Sequence, residues 1–216
     1  MMTWAVVVAG GAGTRFGRPK QLADLRGRRV VDRSIDAMRP HVDGVVVVGD
    51  AEVGTADGLG VDDVVAGGQS RSASVRAGLA AVPSDASHVL VHDAARPLVP
   101  AEVVQRVLTA LVGGAVAVVP VVPVTDTLRS VDGATVDRSR LVAVQTPQGF
   151  RLDALLAAHV AGADATDDAA VIEQAGHVVV HVDGDPINQK ITVPHDLVVA
   201  DALMGMSAPD GQGATP

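Results

Sequence analysis

Six short runs rich in β-branched residues, at 5–9, 45–48, 61–65, 88–91, 116–121 and 177–182, constrain this chain more than any other feature. They show little strict alternation of apolar and polar residues, which is the pattern of strands covered on both faces. Between them lie segments with helical spacing at 30–38, 72–82, 101–112, 152–161, 167–175 and 195–204. Strands alternating with helices of about ten residues specify an α/β sandwich around a mostly parallel sheet. The 216 residues suit one large or two small domains, and a 48% hydrophobic content suffices to bury a sizeable core. Trp4, Phe16 and Phe150 are the only aromatic residues, so that core is packed with Val, Leu and Ala.

One stretch departs from the pattern. Residues 124–144 carry no helical stripe and read as two polar strands about an Asp132-Gly133 turn. A polar hairpin of this length has no core of its own and needs a partner surface. The last ten residues, 207–216, are rich in Gly, Pro and Ala and are expected to be disordered.

The net charge of −8 argues against non-specific nucleic-acid or membrane-surface binding, both of which need a basic face. Any phosphate site must therefore be a local basic cluster. No apolar run approaches about 18 residues and no basic-then-apolar leader is present, so a soluble cytoplasmic protein is expected. The chain has no cysteine, which excludes disulfides, thiolate catalysis and Cys-based metal sites. With so few aromatic platforms, a bound nucleobase would be read by backbone groups rather than by stacking.

Candidate site residues cluster where strands end. The run from His88 closes on Asp93 and turns into Arg96-Pro97. Ligands of open α/β sheets bind beyond the carboxyl ends of the strands, so Asp93 is placed to hold a metal ion over a phosphate; its alternative role is to cap the following turn. The first strand runs into a loop with Gly10, Gly11 and Gly13, followed by Arg15 and Lys20. Glycines let the backbone turn tightly and present amides to phosphate oxygens, and the two bases add charge. The loop is neither a dinucleotide fingerprint, because the next required glycine falls on Phe16, nor a Walker loop. A second loop, Gly67-Gly68-Gln69-Ser70-Arg71-Ser72-Ala73-Ser74, opens a helix, where free amides and hydroxyls bind polar edges as well as cap. Asp167 and Asp168 also open a helix and read as capping acids. His177 and His181 lack an evident third metal ligand, and the absence of a Gly-x-Ser-x-Gly elbow disfavours a serine hydrolase.

Taken in order, Trp4 to Gln21, Gly67 to Val75, Val91 to Pro97, Gln145-Thr-Pro-Gln148, Thr166-Asp-Asp-Ala169 and Asn188-Gln-Lys-Ile-Thr192 make the chain resemble the 2-C-methyl-D-erythritol 4-phosphate cytidylyltransferases over nearly its whole length. It departs in having Ala9-Gly10-Gly11 where the family usually has Ala-Ala-Gly, and Phe16 where Met is usual. The resemblance implies one Rossmann-like three-layer domain of the nucleotide-diphospho-sugar transferase type over 1–206, with 124–144 a β-arm reaching across a homodimer. It implies CTP and a small polyol phosphate as substrates, Mg2+ as cofactor at Asp93, and Arg15, Lys20 and Lys190 as catalytic cations. It implies a nucleotide-binding set of Ala9, Gly10, Gly11, Gly13, Gly68, Gln69 and Ser74. The acceptor phosphate is expected among Arg96, Thr127, Arg138 and Thr146, with Thr127 and Arg138 coming from the partner. Asp185 is a weaker candidate for a second metal ligand. Nucleotidyltransferases acting on ribitol phosphate, a sugar phosphate or molybdopterin are the alternatives within the class. A non-catalytic nucleotide-binding module is the alternative outside it, and would be expected to lose one of Arg15, Lys20 or Asp93.

Overall fold

The structure, a computed structural model, describes residues 1–11, 13, 15–54, 60–160 and 167–206. The expected disordered tail at 207–216 and Thr166 lie outside the described residues. In chain order the elements are β1 (Thr3–Val8), β2 (Asp24–Leu25), β3 (Arg28–Arg29), α1 (Val30–Met38), β4 (Gly44–Val48), α2 (Ala51–Gly54), β5 (Asp63–Val65), α3 (Arg71–Ala81), β6 (His88–Asp93) and α4 (Ala101–Val112). They continue with β7 (Ala117–Pro123), β8 (Leu128–Arg129), β9 (Thr135–Val136), β10 (Val142–Val144), β11 (Gln148–Arg151), α5 (Leu152–Val160), α6 (Asp168–Gln174), β12 (Val179–Asp183) and α7 (Pro194–Met206).

Eight strands form one sheet. From one edge β5, β4, β1 and β6 run parallel, then β11 pairs antiparallel with both β6 and β7. Along its second half β7 pairs with β10, also antiparallel, and its other side carries the parallel strand β12. All five residues of β4 are buried, as a valine run covered on both faces requires.

One face of the sheet meets α1 and α4 through Val31, Ile35, Val103 and Val107. The other meets α3, α5 and α6 through Val75, Leu79, Leu155 and Ile172. In α3 a Cβ on Gly78 would stand 2.4 Å from Val6 Cγ1, so this glycine lets the helix backbone rest directly on β1. A third cluster joins α7 to the β2–β3 hairpin through Ala200, Leu25 and Ile191.

The polar segment at 124–144 does contain a hairpin, with Leu128 opposite Val136 and Arg129 opposite Thr135. Its last residues behave differently from expectation: Val142–Val144 return to the central sheet as β10. Two antiparallel strands, β10 and β11, flank Gln145-Thr146-Pro147, and this polar interruption hides both from a reading by apolar periodicity.

Candidate active site

Asp93 ends β6 directly beside Val8, which ends β1, so the acid and the glycine loop leave the sheet together. Gly13 has φ +64°, and a Cβ there would lie 2.0 Å from the Arg18 carbonyl oxygen. The Gly13 carbonyl accepts from the amides of Phe16 and Gly17, which folds the loop back and delivers Lys20 to the cavity. Burial pulls the Lys20 pKa below the usual lysine value; Lys190 and Arg15 lower it further, against the opposing pull of Asp93. A cation in this state is stabilised by the arrival of an anion.

The cavity is about 370 Å³ and is lined by Ala9, Gly10, Gly11, Lys20, Asp93 and Lys190, together with the second loop. In that loop Ser70 caps α3 by accepting from the Ala73 amide at 3.1 Å. Ser74 Oγ accepts from the Gly68 amide at 3.0 Å and donates to the Ser70 carbonyl at 3.0 Å. Capping and ligand presentation thus coexist: Ser74 shapes the loop, and Gly68, Gln69 and Ser74 all face the cavity. Gly13 and Arg15 are absent from its lining, and Arg15 is exposed to solvent.

Asp93 is a buried carboxylate between two cations. Lys190 Nζ donates to Oδ2 at 2.5 Å and Arg71 Nε to Oδ1 at 3.4 Å. Burial alone would raise its pKa, but Lys190 and Arg71 outweigh burial and hold it well below the usual carboxylate range. Its backbone amide donates to Thr146 Oγ1 at 3.0 Å. Thr146 Oγ1 also meets His92 Nδ1 at 3.1 Å, and His92 Nε2 meets the Arg96 carbonyl at 3.1 Å. The carbonyl accepts only, so Nε2 carries the proton and Nδ1 accepts from the threonine hydroxyl. Burial pushes the His92 pKa down to about 4, which keeps the ring neutral in this role.

A second cavity of about 240 Å³ shares Arg71, Asp93 and Lys190 with the first and adds Arg96, Gln145, Thr146, Gln148 and Asp167. Arg96 Nη1 donates to the Asn188 carbonyl at 2.7 Å and Nη2 to the Val144 carbonyl at 3.3 Å, while its buried Nε has no partner among the described residues. The two carbonyls fix the guanidinium in the wall of this cavity, where an incoming phosphate would compete for its Nη groups. The structure therefore brings Asp93, Lys20, Lys190, Arg96 and Thr146 together. It does not bring Thr127 or Arg138 to them: both are exposed, neither lines either cavity, and Arg138 donates to the Thr125 carbonyl. Asp185 lines neither cavity and accepts from the Ile187 amide within its own turn.

The sequence reading gives no site role to Arg71 or His92, and it reads Asp168 as a capping acid. Arg71 left a signal, since a cation at the first position of a helix opposes the helix dipole and needs an anion nearby. Asp167 does cap α6, accepting from the Ala170 amide, whereas Asp168 is fully buried and takes Arg71 Nη1 at 2.7 Å.

Two chambers meeting at one ionised acid and two cations suit the joining of two phosphorylated substrates. The family model for 2-C-methyl-D-erythritol 4-phosphate cytidylyltransferase matches residues 3–206. The chain belongs to this family. Among enzymes bearing the family name, that of Rhodococcus jostii (strain RHA1) is 47% identical over 213 residues, covering 93% of this chain and 94% of its own. That of Nocardia farcinica (strain IFM 10152) is 45% identical over 218 residues, with 94% of each chain covered. The crystal structure of the 2-C-methyl-D-erythritol 4-phosphate cytidylyltransferase from Thermus thermophilus matches with a TM-score of 0.81 at 36% identity, over 93% of this chain and 98% of that one. The α/β sandwich with a mostly parallel sheet is thus the nucleotidyltransferase fold of the family.

Among the described residues no three His, Asp or Glu side chains gather into a metal cage. The donor set nevertheless fits magnesium shared between one carboxylate and substrate phosphates. Asp93 is kept ionised, and its Oδ1 carries only the long contact to Arg71.

Proposed function

We propose that this cytidylyltransferase transfers the cytidylyl group of CTP to the phosphate of 2-C-methyl-D-erythritol 4-phosphate, in non-mevalonate isoprenoid biosynthesis. The products are 4-diphosphocytidyl-2-C-methyl-D-erythritol and pyrophosphate. The observation that carries this assignment within the molecule is the wall of Asp93, Arg71 and Lys190 common to both cavities. One cavity has the glycine loop, Lys20 and the base-end loop of a nucleotide site, and the other has Arg96 beside Asp93 and Lys190.

A phosphate oxygen of the acceptor attacks the α-phosphorus of CTP, forming a new P–O bond as the bond to the pyrophosphate oxygen breaks. The attacking oxygen is already ionised, so no side chain has to remove a proton. Lys20 holds the triphosphate and stabilises the charge that grows on the departing pyrophosphate, and Arg15, outside the cavity lining but near enough to act on Lys20, adds its charge from the loop. Lys190 stands at the boundary of the cavities, where the attacking and transferred phosphates meet and repel. Arg96 orients the acceptor phosphate. Magnesium held by Asp93 and the phosphates would supply further neutralisation of the triphosphate when bound.

The active form we propose is a homodimer in the cytoplasm. Solvent exposure of Val131, Leu141, Val142 and Val144 on and beside the arm supports a docked arm, because an apolar strip of this kind favours a partner surface. No described helix is long and apolar enough to cross a membrane. The test is a pyrophosphate-release assay crossing the four nucleoside triphosphates with methylerythritol, ribitol and hexose phosphates. Release with CTP and methylerythritol phosphate above all other pairs is expected. Preference for another pair would overturn the assignment.

A further inference from the structure

Arg71 joins the nucleotide loop, the central acid and the wall of the acceptor cavity. Its backbone continues directly from Gly68, Gln69 and Ser70, and the residue lines both cavities. Nη1 donates to Asp168 Oδ2 at 2.7 Å while Nε reaches Asp93 Oδ1 at 3.4 Å. Asp168 is held on its other side by His159, with Nε2 at 3.3 Å from Oδ1. Asp168 is fully buried and lines neither cavity, so its reach to the substrates runs through Arg71. A guanidinium is a rigid planar fork, and fixing one edge on Asp168 fixes the direction of the other.

The two cations on Asp93 are unequal. The Lys190 side chain is 40% exposed and that of Arg71 only 23%. A flexible, exposed lysine can leave the acid for an incoming phosphate, and a clamped, largely buried arginine cannot follow. Thr146 fixes the Asp93 backbone amide separately, so the arginine governs the carboxylate rather than the strand.

We propose that Arg71, clamped by Asp168, is a positioning residue for the transfer: it holds the Asp93 carboxylate at the junction of the two substrate cavities and links that placement to the loop at the base end of the nucleotide site. The inference rests on the cytidylyl-transfer reading above. Arg71→Lys keeps the charge but cannot span both acids, and Asp168→Asn removes the clamp without touching a substrate. Steady-state kinetics of the full chain are expected to show kcat down by about tenfold or more in each, with KM for CTP and for the acceptor within about threefold of wild type. The double variant should be no more than about threefold worse than either single one, because both changes break the same device. Independent, multiplicative losses in the double variant would overturn the proposal, as would a loss confined to KM for CTP, which would make Arg71 a nucleotide ligand. Wild-type kcat in a folded Asp168→Asn protein would do the same. If Asp168→Asn fails to fold, wild-type kcat in Arg71→Lys overturns it alone. The two readings fail separately: a wild-type chain that releases no pyrophosphate removes the activity, whereas an active wild type beside unaffected variants removes only the clamp.

Discussion

Lys190 Nζ and Asp93 Oδ2 lie 2.5 Å apart although 97 positions separate them in the chain. The contact links the turn after β12 to the end of β6, two strands that are not neighbours in the sheet. It leaves the central acid neutralised before any substrate arrives. Under the proposed function, binding a triphosphate would be an exchange: the lysine would give up part of its contact with the acid as phosphate oxygens come within reach, and the acid would become available to a cation carried by the nucleotide. Such an exchange keeps the unbound site from carrying an uncompensated buried charge, which would be destabilising by several kcal/mol, roughly the penalty for breaking one buried pair.

Lys20→Ala is expected to lower kcat by about a hundredfold or more, in line with the loss of one preorganised charge donor. The side chain lines the nucleotide cavity rather than a packed core, so the melting curve should stay unchanged. Near wild-type turnover in the purified variant would contradict the role given to this lysine.

Asp93→Asn keeps the size of the side chain and removes its charge. Activity should vanish at ordinary magnesium concentration and return only in part with excess metal. Isothermal calorimetry with the magnesium–CTP complex gives the direct comparison. Binding as tight as wild type would leave Asp93 with a purely structural role, because its partners Lys190 and Arg71 would then be the only groups it serves.

Much of this architecture was legible because valine runs buried on both faces leave an unambiguous trace. The strands expected at 45–48 and 88–91 appear as β4 and β6, and the helices at 30–38 and 101–112 match α1 and α4. β11 left no such trace, since Gln148-Gly149-Phe150-Arg151 carries neither a valine run nor alternation, and its place in the sheet depends on pairing with β6 and β7. The site divides in the same way. Glycines and bases in consecutive loop positions are local signals. The Arg71–Asp168 pair and the His92–Thr146 contact join residues 97 and 54 positions apart, and a lone buried histidine looks in sequence like any other strand residue.

His92 also gives a pH dependence of stability in the metal-free enzyme. Its folded-state pKa is pushed down by burial to about 4 from an ordinary 6.5. Between these values the unfolded chain binds the proton and the folded one does not. Its contribution is thus complete above pH 6.5 and is lost as pH falls toward 4. The loss is at most about 3 kcal/mol, from 1.36 kcal/mol per pKa unit. Thermal melting from pH 7 to pH 4 should show wild type losing stability across this window more steeply than His92→Asn, which should be the less stable of the two at pH 7. Parallel curves would mean that the ring is not the group being titrated.

The arm carries the prediction with most at stake. Thr127 and Arg138 line neither of the two cavities that share Asp93; Arg138 instead lines a separate hollow beside the arm with Thr125, Leu141 and Val142, and the surrounding surface exposes Val131, Leu141, Val142 and Val144. A two-residue pairing between β8 and β9 cannot stabilise itself by burying apolar area within one subunit. Docking on a twofold mate would supply that surface, and the proposed homodimer would bring each Arg138 to the other chain's acceptor site. A heterodimer of an Arg138→Ala subunit and a Lys20→Ala subunit would hold both defects in one composite site and leave the other intact. Each parent variant should be nearly inactive, and mixing them under conditions of subunit exchange should restore activity toward half the wild-type value per heterodimer. Sedimentation as a monomer with full activity, or exchange without recovery, would assign the arm to its own subunit and leave the acceptor phosphate to Arg96, Lys190 and the amides around Thr146.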